Sequence, residues 1–215
     1  GEHLAASLSG DRLLDTLLLF AAIYHDAGKP QTRTVEKNGR VRFFNHDELG
    51  EKIIAKRARA LRLSNVEIEH LSKIVRHHLR PMLLANTGQM PSRRAVYRFF
   101  RDTGASGVDV CLLSLADVLA TYGPTLPADT WSRHLDVVGT LLEAYWDHPE
   151  ESVTPPPILN GSELIEETGI PPGPLVGKIL SEIREAQAEG KVTSREEALA
   201  FARQIMSTMP EESED

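Results

Sequence analysis

Residues 13–23, "LLDTLLLFAAI", are almost continuously apolar over about three helical turns, and they run straight into His25 and Asp26. A helix this apolar thus delivers two metal-capable groups, an imidazole and a carboxylate, to its last turn. Burying such groups without partners costs roughly 2–7 kcal/mol each. Hydrogen bonds, a counter-charge or a metal ion must offset that cost.

Composition points the same way. Of the 215 residues, 41% are hydrophobic and only 6% aromatic, so the core is aliphatic, which favours helix packing over a β-sandwich. The single cysteine, Cys111, lies in "VCLLSLADVLA" and reads as core packing, so no disulfide framework exists and a reducing compartment is expected. No run is read as long and apolar enough to cross a membrane, which leads us to expect a cytoplasmic chain with no membrane partner. The net charge of −7 argues against general nucleic-acid binding; part of it sits in the terminal "PEESED", read as a frayed tail. Gly1 leads almost at once into helical sequence, so residues upstream of it are expected.

Helical periodicity recurs along the chain. The first strong helix is placed at about residues 12–25 and is stopped by Gly28 and Pro30. "TRTVEKNGRVRFF" alternates around Asn38-Gly39, a dipeptide suited to a type I′ turn, and predicts a short hairpin at about 32–43. A helix begins near Asp47. Another opens with the capping-box pattern Ser64-x-x-Glu67 and runs to about Leu79, where Pro81 stops it. "SRRAVYRFFRD", "GVDVCLLSLADVLATY" and "WSRHLDVVGTLLEAYWDH" supply further helices, after which "PEESVTPPPILNGSEL" is proline-rich and loop-like. Two last helices follow; Gly190 ends the first, and Ser194 with Glu197 caps the second. The expected fold class is all-α, with an optional small hairpin.

Several polar groups fall where the periodicity points inward. The stripe Leu71, Ile74 and Val75 continues into His78, whereas His77 is rotated about 100° away onto the face of His70 and Lys73. Asp117 continues the stripe of Val110 and Leu113, and His46 opens the helix of "NHDELG". Four separate elements thus send imidazole or carboxylate groups inward, a donor set suited to Mn, Fe, Co, Ni or Zn, or to Mg with fewer imidazoles.

In "AAIYHDAGKP", "FNHDELG", "RHHLRP" and "LADVLAT" the chain resembles the HD superfamily of metal-dependent phosphohydrolases. It is most similar to the HD region of bacterial tRNA nucleotidyltransferases and their poly(A) polymerase relatives. Residues 155–199, "PPPILNGSEL" through "TSREEAL", are similar to the region that follows the HD domain in those proteins. The resemblance implies an HD-domain helical bundle over residues 1–150 and a C-terminal helical tail region over 151–215. It implies a divalent ion held by His25, Asp26, His46, His78 and Asp117, with His46 and His78 available for a second ion. It further implies hydrolysis of phosphomonoesters, nucleotides or 2′,3′-cyclic phosphates at RNA ends. Lys29 and Arg80 would neutralise substrate phosphate, and Asp26, Lys29 and Asp47 (or its neighbour Glu48) would serve catalysis.

The family pattern also has a histidine upstream of the HD pair. His3 is the one upstream histidine here, and its spacing is short. These residues carry no Gly-Ser-rich motif with paired aspartates, so they would not themselves transfer nucleotides. A different class of function follows from that: a non-catalytic body and tail that binds tRNA or mediates homodimerisation. His70, His134 and His148 read as packing or surface residues. The basic sets Lys52, Lys56, Arg57, Arg59 and Arg62, and Arg93, Arg94, Arg98 and Arg101, read first as solvated helix faces and second as RNA-tracking surfaces.

Overall fold

A computed structural model describes residues 2–208; the acidic "PEESED" end lies outside the described residues. The elements in chain order are α1 (Glu2–Ala5), α2 (Leu14–Tyr24), α3 (Lys29–Thr32), β1 (Arg33–Val35), β2 (Val41–Phe43), α4 (His46–Ala60), α5 (Asn65–His77) and α6 (Arg80–Ala85). They continue with α7 (Arg93–Thr103), α8 (Gly107–Tyr122), α9 (Ala128–Asp147), α10 (Gly161–Thr168), α11 (Pro174–Ala188) and α12 (Arg195–Thr208). The fold is helical, with one two-stranded antiparallel hairpin among the described residues.

Two compact units arise. Gly1–Met90 and Asp102–Leu142 make the first; Pro91–Arg101 and the residues from Glu143 onward make the second. In the first unit, α5 is the central helix, touching α2, α4 and α8. Leu17 and Ala21 of α2, Ile54 and Ala58 of α4, Leu71, Ile74 and Val75 of α5, and Val110 and Leu113 of α8 are all buried. At about 1.5–3 kcal/mol per large side chain, this aliphatic burial is the main stabilising term.

Local chemistry sets the boundaries. Ser64 and Glu67 form the expected capping box at the start of α5, and Ser194 and Glu197 form that of α12. The hairpin is present, paired Arg33 to Phe43 and Val35 to Val41, but its turn is not type I′. Gly39 has φ 82°, whereas Asn38 is not among the residues with positive φ. The Gly39 N–H donates to Glu36 O, and Glu36 N–H to Arg40 O. A tight turn followed by one left-handed glycine closes a three-residue loop, which asks for positive φ at only one position.

Prolines also act differently from expectation. Pro30 and Pro81 start the short helices α3 and α6 rather than only ending their predecessors. At the first helical positions the N–H that proline lacks has no intrahelical partner to lose. The segment around Asn160, read as loop, contains α10, capped by Asn160 and Glu163.

One continuous helical stretch, Arg93–Thr125, has the length and hydropathy of a membrane-crossing helix, which the sequence reading did not anticipate. Gly104, at φ 58°, divides it, and in α8 Val108, Val110, Cys111, Leu113 and Val118 are buried, as in a core helix.

In the second unit, Leu164, Ile179, Ile183, Ala198 and Ala202 of α10–α12 form the core. Glu185, 4% exposed, is held by Arg94, by Arg98 at 2.6 Å and by Arg101 at 3.4 Å. These arginines thus neutralise an internal carboxylate.

Glu67, 2% exposed, ties the segment just before α2 to α5: it accepts from the Ser64 N–H at 2.8 Å and Oγ at 2.9 Å, and from Arg12. Burial pushes its carboxyl up, but the Ser64 and Arg12 contacts outweigh that and hold it below the usual glutamate value. A carboxyl depressed in the folded state contributes stability that is complete above its unfolded pKa and is lost as pH falls through its folded pKa. Glu67→Gln is expected to cost about 1–3 kcal/mol at pH 7. Urea melts from pH 7 to pH 3 should show the gap to wild type narrowing on acidification; a constant gap would contradict this.

A candidate metal centre

The last turn of α2, the N-terminus of α4, the end of α5 and the middle of α8 meet at one place. Two glycines permit it. A Cβ on Gly28 would fall 2.1 Å from His46 O, and one on Gly50 would fall 2.9 Å from Val75 Cγ1. The loop carrying Asp26 can therefore lie directly against the start of α4. Asn45, at φ 57°, turns the chain out of β2 so that His46 opens α4 with a buried side chain.

Asp26 is the hub. Its Oδ1 lies 3.5 Å from His46 Nε2 and 3.9 Å from His78 Nε2, and its Oδ2 lies 3.3 Å from His25 Nε2. His25 Nε2 is also 3.5 Å from Asp117 Oδ1. The rings of His25 and His46 stand 5.2 and 5.3 Å from that of His78, both edge-on. One ligand atom from each of Asp26, His46 and His78 falls within 4.8 Å of the others.

All three imidazoles are held by the same device. His25 Nδ1 donates to Ala22 O at 2.7 Å, His46 Nδ1 to Phe43 O at 2.8 Å, and His78 Nδ1 to Val75 O at 2.7 Å. A carbonyl can only accept, so each Nδ1 carries the proton and each Nε2 is the free ligand atom in the neutral ring. The three Nε2 atoms are buried and make no hydrogen bond among the described residues. Orphaned buried nitrogens of this kind call for an explanation, and a cation shared with two carboxylates supplies one. The residues present therefore fit a divalent metal with mixed nitrogen and oxygen ligands.

The electrostatics agree. The carboxylates of Asp117 and Asp26 raise His25 to about 10, so a proton and a metal compete for its Nε2. Burial would raise the Asp26 carboxyl, but His25 and Lys29 outweigh it and hold the group well below the usual carboxylate range. His25 likewise lowers Asp117, and burial lowers His78. His46 and His78 lie deep, while the His25, Asp26 and Asp117 side chains are about one-fifth, one-third and one-quarter exposed.

Among the other residues expected at the site, Lys29 Nζ lies 2.5 Å from Asp26 Oδ2 and 5.7 Å from the centre of the Phe43 ring. Arg80 pairs with Asp102 at 2.8 Å, and Asp47 pairs with Arg76. His3 is drawn elsewhere, to the fully buried Asp109 at 3.0 Å, which also accepts from His70 Nε2 at 2.6 Å. Sequence reading missed the three carbonyls of Ala22, Phe43 and Val75. Their only trace is the recurrent three-residue offset from each histidine.

Comparison with known proteins accords with this arrangement. The family model for the HD domain matches residues 2–122. The chain belongs to the HD-domain family. A second model, tRNA nucleotidyltransferase domain 2, matches residues 155–202, beyond the HD domain. The chain is 35% identical over 183 residues to a CC-adding tRNA nucleotidyltransferase of Thermus thermophilus, covering 84% of this chain and 38% of that protein. It is 31% identical over 197 residues to an A-adding tRNA nucleotidyltransferase of Deinococcus radiodurans, covering 91% and 43%. A CC-adding enzyme of Synechocystis sp. is 28% identical over 154 residues, covering 72% and 33%. The chain thus spans less than half the length of each of these relatives.

Removing the hub should empty the HD site while sparing the helices. Asp26→Ala is expected to lose bound divalent metal, read by elemental analysis after loading and desalting, with an unchanged helical circular-dichroism spectrum. Wild-type metal content in this variant would rule out the assignment.

Proposed function

We propose that this chain is a divalent-metal-dependent phosphohydrolase, the HD portion of a tRNA nucleotidyltransferase-like protein. Its substrates on this reading are phosphomonoesters, nucleotides or 2′,3′-cyclic phosphates at RNA ends. The observation that carries the reading is the set of three buried, unbonded imidazole nitrogens aimed at Asp26. His25, Asp26, His46, His78 and Asp117 would hold the ion. When bound, a divalent ion there supplies Lewis-acid polarisation and lowers the pKa of a coordinated water towards neutrality.

The chain's own groups have distinct parts in this reading. Lys29, already beside Asp26, provides the cation for a phosphoryl oxygen. Arg80 would have to leave Asp102 to join it, and Asp47 would have to leave Arg76 to act as a base. The partly exposed carboxylates of Asp26 and Asp117 define the side from which substrate enters on this reading.

A second reading is a non-catalytic module that orients tRNA or mediates homodimerisation. It is favoured by the match of residues 155–202 to tRNA nucleotidyltransferase domain 2 and by relatives named for adding CC or A to tRNA. The domain limits 1–150 and 151–215, a tRNA partner and a cytoplasmic location belong to both readings.

The two separate in a metal-by-substrate screen of the purified chain, using an aryl phosphate, a 2′,3′-cyclic nucleotide and a 2′-nucleotide with Mg, Mn, Co and Ni. We expect turnover of at least one substrate with at least one metal, reduced about a hundredfold or more in His78→Ala. A protein that binds metal and hydrolyses none of the three would favour the module.

A further inference from the structure

A cavity of about 170 Å³ lies in the first unit, bounded by α6, α8 and α9. Asn86, Val118, Tyr122, Thr130, Arg133 and His134 line it. Three observations make it more than a surface dent. His134 is 1% exposed, and its Nε2 is 3.1 Å from Ser114 Oγ, yet its Nδ1 is buried with no hydrogen-bond partner among the described residues. Arg133, exposed at the rim, makes no ion pair among the described residues. Tyr122, 41% exposed, offers an aromatic wall beside the buried Val118.

Two of the elements that line the cavity lead to the metal centre: α8 carries Asp117, and α6 begins just after His78. Ser114 sits one helical turn before Asp117 on α8, which puts their Cβ atoms about 5–6 Å apart. The Asp117 charge acts on His134, although burial dominates and lowers that imidazole. His134 is therefore neutral near pH 7, offering either a donor or an acceptor at Nδ1. Asn86 follows the end of α6, a helix that begins two residues after His78.

We propose that this cavity is the nucleoside subsite of the HD centre. The base would lie against Tyr122, with its polar edge on His134 Nδ1 and the Asn86 amide, and Arg133 would pair with an anionic oxygen of the same ligand. An apolar wall with an aromatic face and a few convergent polar groups is the chemistry that recognises a base. The inference rests on the phosphohydrolase reading for the site's purpose, but its binding chemistry can be tested without turnover.

Calorimetric or NMR titration of the full chain, in EDTA so that no hydrolysis occurs, would use adenosine and adenosine 2′-monophosphate as probes. Wild type should bind both. Tyr122→Ala should weaken both by about tenfold or more, and Arg133→Ala should weaken the monophosphate more than adenosine. Lys52→Ala, on the exposed face of α4, serves as control and should match wild type. His134→Phe removes Nδ1 at similar volume; if it fails to fold, the two surface variants still decide the matter. Unchanged affinity in Tyr122→Ala and Arg133→Ala, or no binding of either probe by wild type, would overturn the subsite. Tyr122-dependent binding in a protein that hydrolyses nothing would instead sink the phosphohydrolase reading and leave the subsite standing.

Discussion

Three backbone carbonyls determine what this molecule can do. By accepting the Nδ1 protons of His25, His46 and His78, the oxygens of Ala22, Phe43 and Val75 fix one tautomer in each ring and turn three lone pairs towards Asp26. Each bond joins residues three apart, so each belongs to a local turn and needs no long-range contact for its own geometry. What is long-range is the meeting of the turns, which come from α2, α4 and α5. The arrangement concentrates desolvated nitrogens around carboxylates, and a cation is the partner that satisfies both at once.

The rest of the first unit serves that meeting. α5 is central because its apolar stripe contacts three helices, and the same stripe ends in His78. Gly28 and Gly50 let backbone touch backbone where α2 hands over to α4; a methyl group on Gly28 would overlap the His46 carbonyl. The Glu67 network ties the segment just before α2 to α5. A second polar cluster, Asp109 with His3, His70 and Ser106, is fully hydrogen-bonded, and its saturation contrasts with the unbonded Nε2 atoms of the centre.

Much of this was legible in the residues, for identifiable reasons. The inward direction of His78 and Asp117 followed from apolar stripes at helical spacing, and the capping boxes at Ser64 and Ser194 announced themselves by their own side chains. The turn at Asn38-Gly39 was misread because the dipeptide suits a two-residue loop, while the register of the strands required three. Pro30 and Pro81 were read as stops although proline is equally at home at a helix start. The engagement of Arg80 with Asp102, of Asp47 with Arg76 and of His3 with Asp109 depends on which helices become neighbours, and no local pattern encodes that. The cavity at His134 escaped for the same reason: its walls come from three helices, and a lone histidine on an apolar face is most often packing.

X-ray absorption of the cobalt- or zinc-loaded chain addresses the central claim most directly. Simultaneous coordination by imidazoles and carboxylates predicts a first shell of nitrogen and oxygen at about 2.0–2.2 Å, with the outer-shell scattering of two or three imidazole rings, and loss of one ring's contribution in His46→Ala. A shell of oxygen alone, with no imidazole scattering and no response to that substitution, would contradict the account.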